Sequence, residues 1–191
     1  MRKFSLWYVV LGATVIIAIW LVASYNGLVT AKGFVTNQWA QVETQYQRRI
    51  DLVPNLVSTV KGAAQFEQET FLQVTEARSA WAQAKTVGDR GQQIQAATNF
   101  DTALGRLLVT VEAYPQLKAT EAFRDLMAQL EGTENRISVA RKDYNDAVFG
   151  YNVRVLRFPG LVAAKLFGFQ PEKSFEAVKG SEVAPTVDFN K

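Results

Sequence analysis

From Phe4 to Tyr25 the sequence "FSLWYVVLGATVIIAIWLVASY" runs 22 residues without a charge. As a helix this stretch measures about 33 Å, enough to cross the hydrocarbon core of a bilayer. Trp7 and Tyr8 lie near one end and Trp20 and Tyr25 near the other, the arrangement of two interfacial aromatic belts. "VAS" at residues 22–24 would suit a signal-peptide cleavage site. The apolar region of a signal peptide, however, is usually only about 7–15 residues long. The pattern therefore predicts an uncleaved transmembrane anchor over residues 1–25, in contact with lipid through residues 4–25.

Beyond Trp39 the apolar positions take a helical period. Trp39, Tyr46, Val53, Val60, Glu67, Val74 and Trp81 recur every seven residues, and Ile50, Val57, Ala64, Phe71 and Arg78 form a second such series. Together they describe an a/d-like seam that Glu67 and Arg78 interrupt. "AKTVGDRGQQ", residues 84–93, loses the period and predicts a loop. A shorter helix follows over about 92–113, with Ile94, Ala97, Leu104, Leu108 and Val111 on one face, and Pro115 ends it. Phe123, Leu130, Ile137, Tyr144, Tyr151 and Phe158 then keep one phase, which predicts a helix from about Lys118 to Arg157. Pro159 and Gly160 stop it.

Pro54 admits two readings. The seam keeps its phase through it, as in one kinked helix. Its neighbours instead look like helix ends: Arg48 and Arg49 suit a C-terminus, Asp51 an N-cap and Pro54 a first turn. The end signals tip the reading slightly toward a turn, although "IDLV" is poor turn chemistry. Either way the fold class is all-α: a membrane helix, then an elongated antiparallel four-helix bundle over residues 26–170, then an extended tail over 171–191. "GLVAAKLFGF" is too short to span a membrane and is expected to dock on the bundle, with a lipid surface as the alternative. Val183, Pro185, Val187 and Phe189 alternate, as in an extended tail laid along a groove.

Composition narrows the chemistry. Apolar residues make up 48% of the 191, enough for a core. The absence of cysteine and histidine excludes disulfides, thiolate nucleophiles, His-ligated metals and Ser-His-Asp triads, so no cofactor is expected. The pI of 9.2 does not signal nucleic acid. Of 21 basic and 18 acidic residues, Arg2 and Lys3 precede the apolar run, and the remainder carries only +1. That is too little for a phosphate-binding footprint. Arg2 and Lys3 also place the N-terminus in the cytoplasm by the positive-inside rule, with the bundle outside the membrane.

Several segments taken together resemble one family. They are "YNGLV", "RRIDLVPNLVSTVKG", "EAYPQLKATEAFRDLMAQLEGTENRISVARKDYNDAVFGYNVRV" and "FPGLVAAKLFGF". In these the chain resembles the LemA family of bacterial membrane proteins over nearly all of residues 25–175. Arg48, Arg49, Asp51, Pro54, Asn55, Tyr114, Pro115, Lys118, Tyr144, Tyr151 and Asn152 carry the motif. The resemblance implies a long four-helix bundle behind one membrane helix and no established enzymatic activity. It also implies kinship with a branch associated with magnetosome membranes. Where the family commonly has an aromatic and a histidine, this chain has "GAAQFEQE", which leaves metal binding there without support.

The polar residues on the seams are the candidate site. Glu134, Arg141 and Asn145 share neighbouring ridges, and Glu67 and Arg78 fall among apolar positions. Buried charges must be paired, so an interhelical network fixing register is the first expectation. An anion gripped by Arg141 or Arg78 is the second, and acid–base work by Glu67 with Glu131 or Glu134 the third. Asn55, Asn145 and Asn152 are poor helix formers and are expected to bond something specific. Trp39 and Trp81 are expected in the core. The function expected is a bacterial inner-membrane scaffold acting by contact with itself or with another envelope protein. The alternative is an extracytoplasmic ligand sensor that works through a membrane partner.

Overall fold

The computed structural model describes residues 4–61 and 68–176. Glu67, Ala64 and the alternating tail positions Val183 to Phe189 lie outside these residues. Among the described residues six helices follow in order: α1 (Phe4–Lys61), α2 (Gln68–Val87), α3 (Arg90–Val111), α4 (Pro115–Lys118), α5 (Glu121–Leu156) and α6 (Gly160–Phe167). No strand occurs among the described residues. Beyond its apolar stretch helix α1 pairs with α5, and α2 forms a hairpin with α3. Side-chain contacts fix the directions. Arg49 meets Thr133 while Trp39 meets Tyr144, so α1 and α5 run antiparallel. Trp39 meets Gln93 while Tyr46 meets Asp101, so α1 and α3 run parallel. This is an up-down-up-down four-helix bundle. Its seam buries Trp39, Tyr46, Val53 and Val60 from α1, Val74 and Trp81 from α2, Phe100 and Leu107 from α3, and Leu130, Ile137, Tyr144 and Tyr151 from α5.

Helix α1 is one element of 58 residues with Pro54 inside it, which corrects the expected turn. Pro54 faces solvent, so its ring displaces no side chain of a neighbouring helix. Ile50, Val53, Leu56 and Val60 stay buried across it, and the seam holds the two halves in one line. Asp51 is no cap: it accepts from Gln47 Nε2 at 2.8 Å on the exposed face.

The expected loop over 84–93 shrinks to two residues. Gly88 takes φ +77°, and its N–H reaches the Ala84 carbonyl at 3.2 Å. A side chain would be strained in that left-handed conformation. Asp89 then caps α3, accepting from the Gly91 N–H at 2.9 Å. Pro115 ends no helix but opens α4 as its first residue, with Tyr114 at the cap. Two residues expected on buried faces are exposed. Phe158 lies past the end of α5. Arg78 faces out because α2 turns Thr70, Phe71, Val74, Ala77, Trp81 and Ala84 inward, and Ala77 takes the inward place beside it.

Helix α6 folds back on α1 and α5 through Ala163 and Ala164, both buried. Gly168, at φ +74°, then turns the chain so that residues 169–176 run back along α5.

Candidate functional site: a charged seam and a tail clasp

Two polar clusters meet midway along the bundle. The first is a chain of alternating charges across three helices. Arg49 is 3% exposed. Its Nη1 donates to Asp101 Oδ1 at 2.8 Å, its Nη2 pairs with Glu134, and its Nε donates to Thr133 Oγ1 at 3.3 Å. Arg141 closes on the other oxygen of Asp101, which also accepts from the Tyr46 hydroxyl at 2.7 Å. The order is Glu134, Arg49, Asp101, Arg141, each charge next to its opposite. A buried guanidinium is tolerable only with such carboxylate partners. Burial first, and the neighbouring Asp101 charge second, push the Tyr46 phenol well above the usual tyrosine range.

The second cluster holds the tail. Tyr151 donates to the Gln170 carbonyl at 2.9 Å and Tyr144 to the Lys173 carbonyl at 2.6 Å. Asn152 donates to the Glu172 carbonyl and accepts from the Glu172 N–H, at 2.9 and 2.8 Å. Asn145 does the same to Phe175, at 3.0 and 2.9 Å. Two Tyr-Asn pairs seven residues apart on α5 thus hold an extended segment by its backbone. A side-chain amide can do this because, like a peptide group, it carries both a donor and an acceptor. Glu172 Oε2 also lies 3.0 Å from Arg90 Nη1, close enough to pair in charge.

Phe175 joins the clusters. Its ring stacks on Trp39 at 5.9 Å between centroids, and the Arg141 guanidinium lies 4.7 Å from its centre. Trp39 is fixed in turn by its indole N–H, which donates to Gln93 Oε1 at 2.8 Å.

The residues named from sequence are distributed as follows. Arg141, Glu134 and Arg49 enter the charged chain, and Asn145, Asn152, Tyr144 and Tyr151 form the clasp. Glu134 does not bond Arg141; Arg49 and Asp101 stand between them. Arg48, Asp51, Pro54, Asn55, Lys118, Arg78 and Glu131 are exposed. Asp101, Tyr46 and Thr133 were missed. Asp101 carried a signal, as the sole acid in α3. Among the described residues no group of three or more acids is placed to hold a metal ion.

Burial also raises the Tyr144 phenol to about 12. Unfolded tyrosine ionises near 10, so between about pH 10 and 12 the folded chain holds a proton that the unfolded chain has lost. The tyrosine contribution to stability is intact below pH 10 and falls as the pH rises. Titration at 295 nm is expected to show late tyrosines that ionise together with loss of the 222 nm helix signal. Their ionisation in the usual range, with helicity retained, would contradict the buried placement.

The LemA family model matches residues 38–189, which include both clusters. The chain belongs to the LemA family. Curated relatives fall in two groups. Magnetosome protein MamQ 2 of Paramagnetospirillum magneticum is 28% identical, over 82% of this chain and 66% of that protein. MamQ of Magnetospirillum gryphiswaldense is 26% identical, over 81% and 65%. Protein LemA of Metamycoplasma hominis is 23% identical, over 74% and 64%. The chain spans just under two thirds of the length of these relatives. The match to the family starts at residue 38, past the apolar stretch. In that stretch α1 contains a window of mean hydropathy 2.1 with none of it buried, long and apolar enough to cross a membrane. This LemA-family chain is therefore a helical protein with membrane-associated relatives and, among the described residues, one candidate transmembrane helix.

Proposed function

We propose that this chain is a single-pass scaffold of the bacterial inner membrane, with its N-terminus in the cytoplasm and its bundle outside, acting by protein contact rather than catalysis. The continuity of α1 carries the reading. One helix supplies both the apolar stretch and the buried seam, so the bundle stands as a rod on its anchor. Arg2 and Lys3 give the orientation. The interior charges are spent on one another, as a structural network requires. What remains available is the outer seam between α1 and α5. One open groove there, of about 520 Å³, is lined by Arg48, Asp51, Leu52 and Arg136. A second, of about 390 Å³, is lined by Gln38, Gln41, Arg136 and Val139. Adjoining grooves with adaptable polar side chains suit a partner protein.

Photocrosslinking probes at Gln41 and Val139 in living cells are expected to trap one reproducible protein, and Arg136→Glu to abolish the adduct. A second copy of this chain would make it a self-assembling scaffold; a foreign membrane protein would make it an adaptor. No adduct from these positions, nor from the exposed faces of residues 118–157, would overturn the proposal in favour of ligand sensing.

A further inference from the structure

We infer that the corner between α5 and α6 is a second membrane contact, seated in the interfacial layer of the bilayer beside α1. The inference rests on the reading that residues 4–25 cross the membrane. Arg154 Nη1 donates to the Gly27 carbonyl at 3.3 Å, and α5 runs antiparallel to α1. Residues after Arg154 therefore descend alongside the final turns of the apolar stretch, which brings Leu156 and Phe158 level with about Val22 to Tyr25. The Tyr25 ring meets Phe167 edge-on at 4.9 Å and Phe169 at 5.8 Å, and Trp20 packs against the core cluster.

This corner cannot stand clear of the bilayer. If the membrane ended below it, at about Ile19, the span would be only about 24 Å, short of the ~30 Å hydrocarbon thickness. Trp20 to Tyr25 are needed to complete the crossing, and the corner sits against them. Its surface suits that depth. Leu156, Phe158 and Leu166 are 59%, 76% and 64% exposed. Val162 and Phe167 are also exposed, whereas Ala163 and Ala164 bury the opposite face. An apolar patch of this kind facing water marks a contact surface. Arg154, Arg157 and Lys165 surround it, with no acid between Asp146 and Glu172. Cations on long stems can lay their carbons against apolar surface and reach lipid phosphates with their heads.

The chain has no cysteine, so single spin labels can be placed cleanly on the full protein. Phe158→Cys and Leu166→Cys would be labelled with a nitroxide in phosphatidylcholine–phosphatidylglycerol vesicles, beside Val15→Cys in the apolar stretch and Val109→Cys on the exposed face of α3. All four positions are exposed, and circular dichroism verifies the fold. Power saturation is expected to show oxygen outcompeting a water-soluble nickel chelate several-fold at 158 and 166, as at 15, with the reverse at 109. If 15 lies in lipid while 158 and 166 match 109, the corner stands in water and the inference fails. If 15 also matches 109, the membrane reading itself fails. Dipolar broadening at 158 that vanishes on dilution with unlabelled protein would give the patch to a second copy, and would also overturn the inference.

Discussion

Arg49→Leu is expected to cost the bundle about 3–5 kcal/mol, the range for removing one partner of a buried ion pair. The side chain is almost wholly enclosed and bonds Asp101, Glu134 and Thr133 together. Leucine would fill part of the space and leave Asp101 with a carboxylate only half neutralised by Arg141. Denaturant unfolding followed at 222 nm measures the loss. Arg49→Lys should recover little, because an ammonium cannot reach three acceptors in a fixed planar fork. The combined variant Arg49→Leu/Asp101→Leu/Arg141→Leu should be more stable than Arg49→Leu alone, since no charge is then stranded. A cost below about 1 kcal/mol for Arg49→Leu would show that the network does not hold the helices together.

Asn145→Ala/Asn152→Ala is expected to release the tail while sparing the bundle. Each asparagine satisfies both the N–H and the C=O of one tail residue, Phe175 and Glu172. Losing such a pair costs about 1–3 kcal/mol, a roughly 5- to 150-fold rise in local opening. Hydrogen exchange should quicken by that factor at the Glu172 and Phe175 amides, with core amides of α5 unchanged. Asn→Asp at the same positions separates the two bonds, because a carboxylate still accepts from the N–H but gives nothing to the carbonyl. Unchanged exchange in the alanine variant would mean that Phe175, stacked on Trp39, holds the tail by itself.

The bundle was legible in the sequence wherever a helix face stayed in phase. Trp39, Tyr46, Val53 and Val60, like Leu130, Ile137, Tyr144 and Tyr151, repeat every seven residues because one face meets the same neighbour throughout. The junctions were less legible. At Gly88–Asp89 two residues suffice where ten were expected, because a left-handed glycine and an aspartate cap complete the turn. At Pro54 local end signals competed with the seam, and the seam won, since the exposed proline ring displaces no neighbouring side chain. The site was half legible. Asn145 and Asn152 stood out as poor helix formers in need of partners. Their partners are backbone groups of residues 170–176, and no side-chain pattern encodes a backbone contact. Asp101 was hidden in plain view, the one acid in its helix, with counter-charges 52 residues before it and 40 after it.

The unbroken course of α1 turns the rod into a lever. From Tyr25 to Lys61 the helix extends about 54 Å beyond the apolar stretch. A span longer than its bilayer is thick relieves the mismatch by tilting. With no hinge at the membrane surface, a tilt of 10° would swing the far end of α1 sideways by roughly 9 Å. With residues 4–25 crossing the membrane as proposed, bilayer thickness, a property of lipid composition, would set the position of a protein surface at the far end of the bundle.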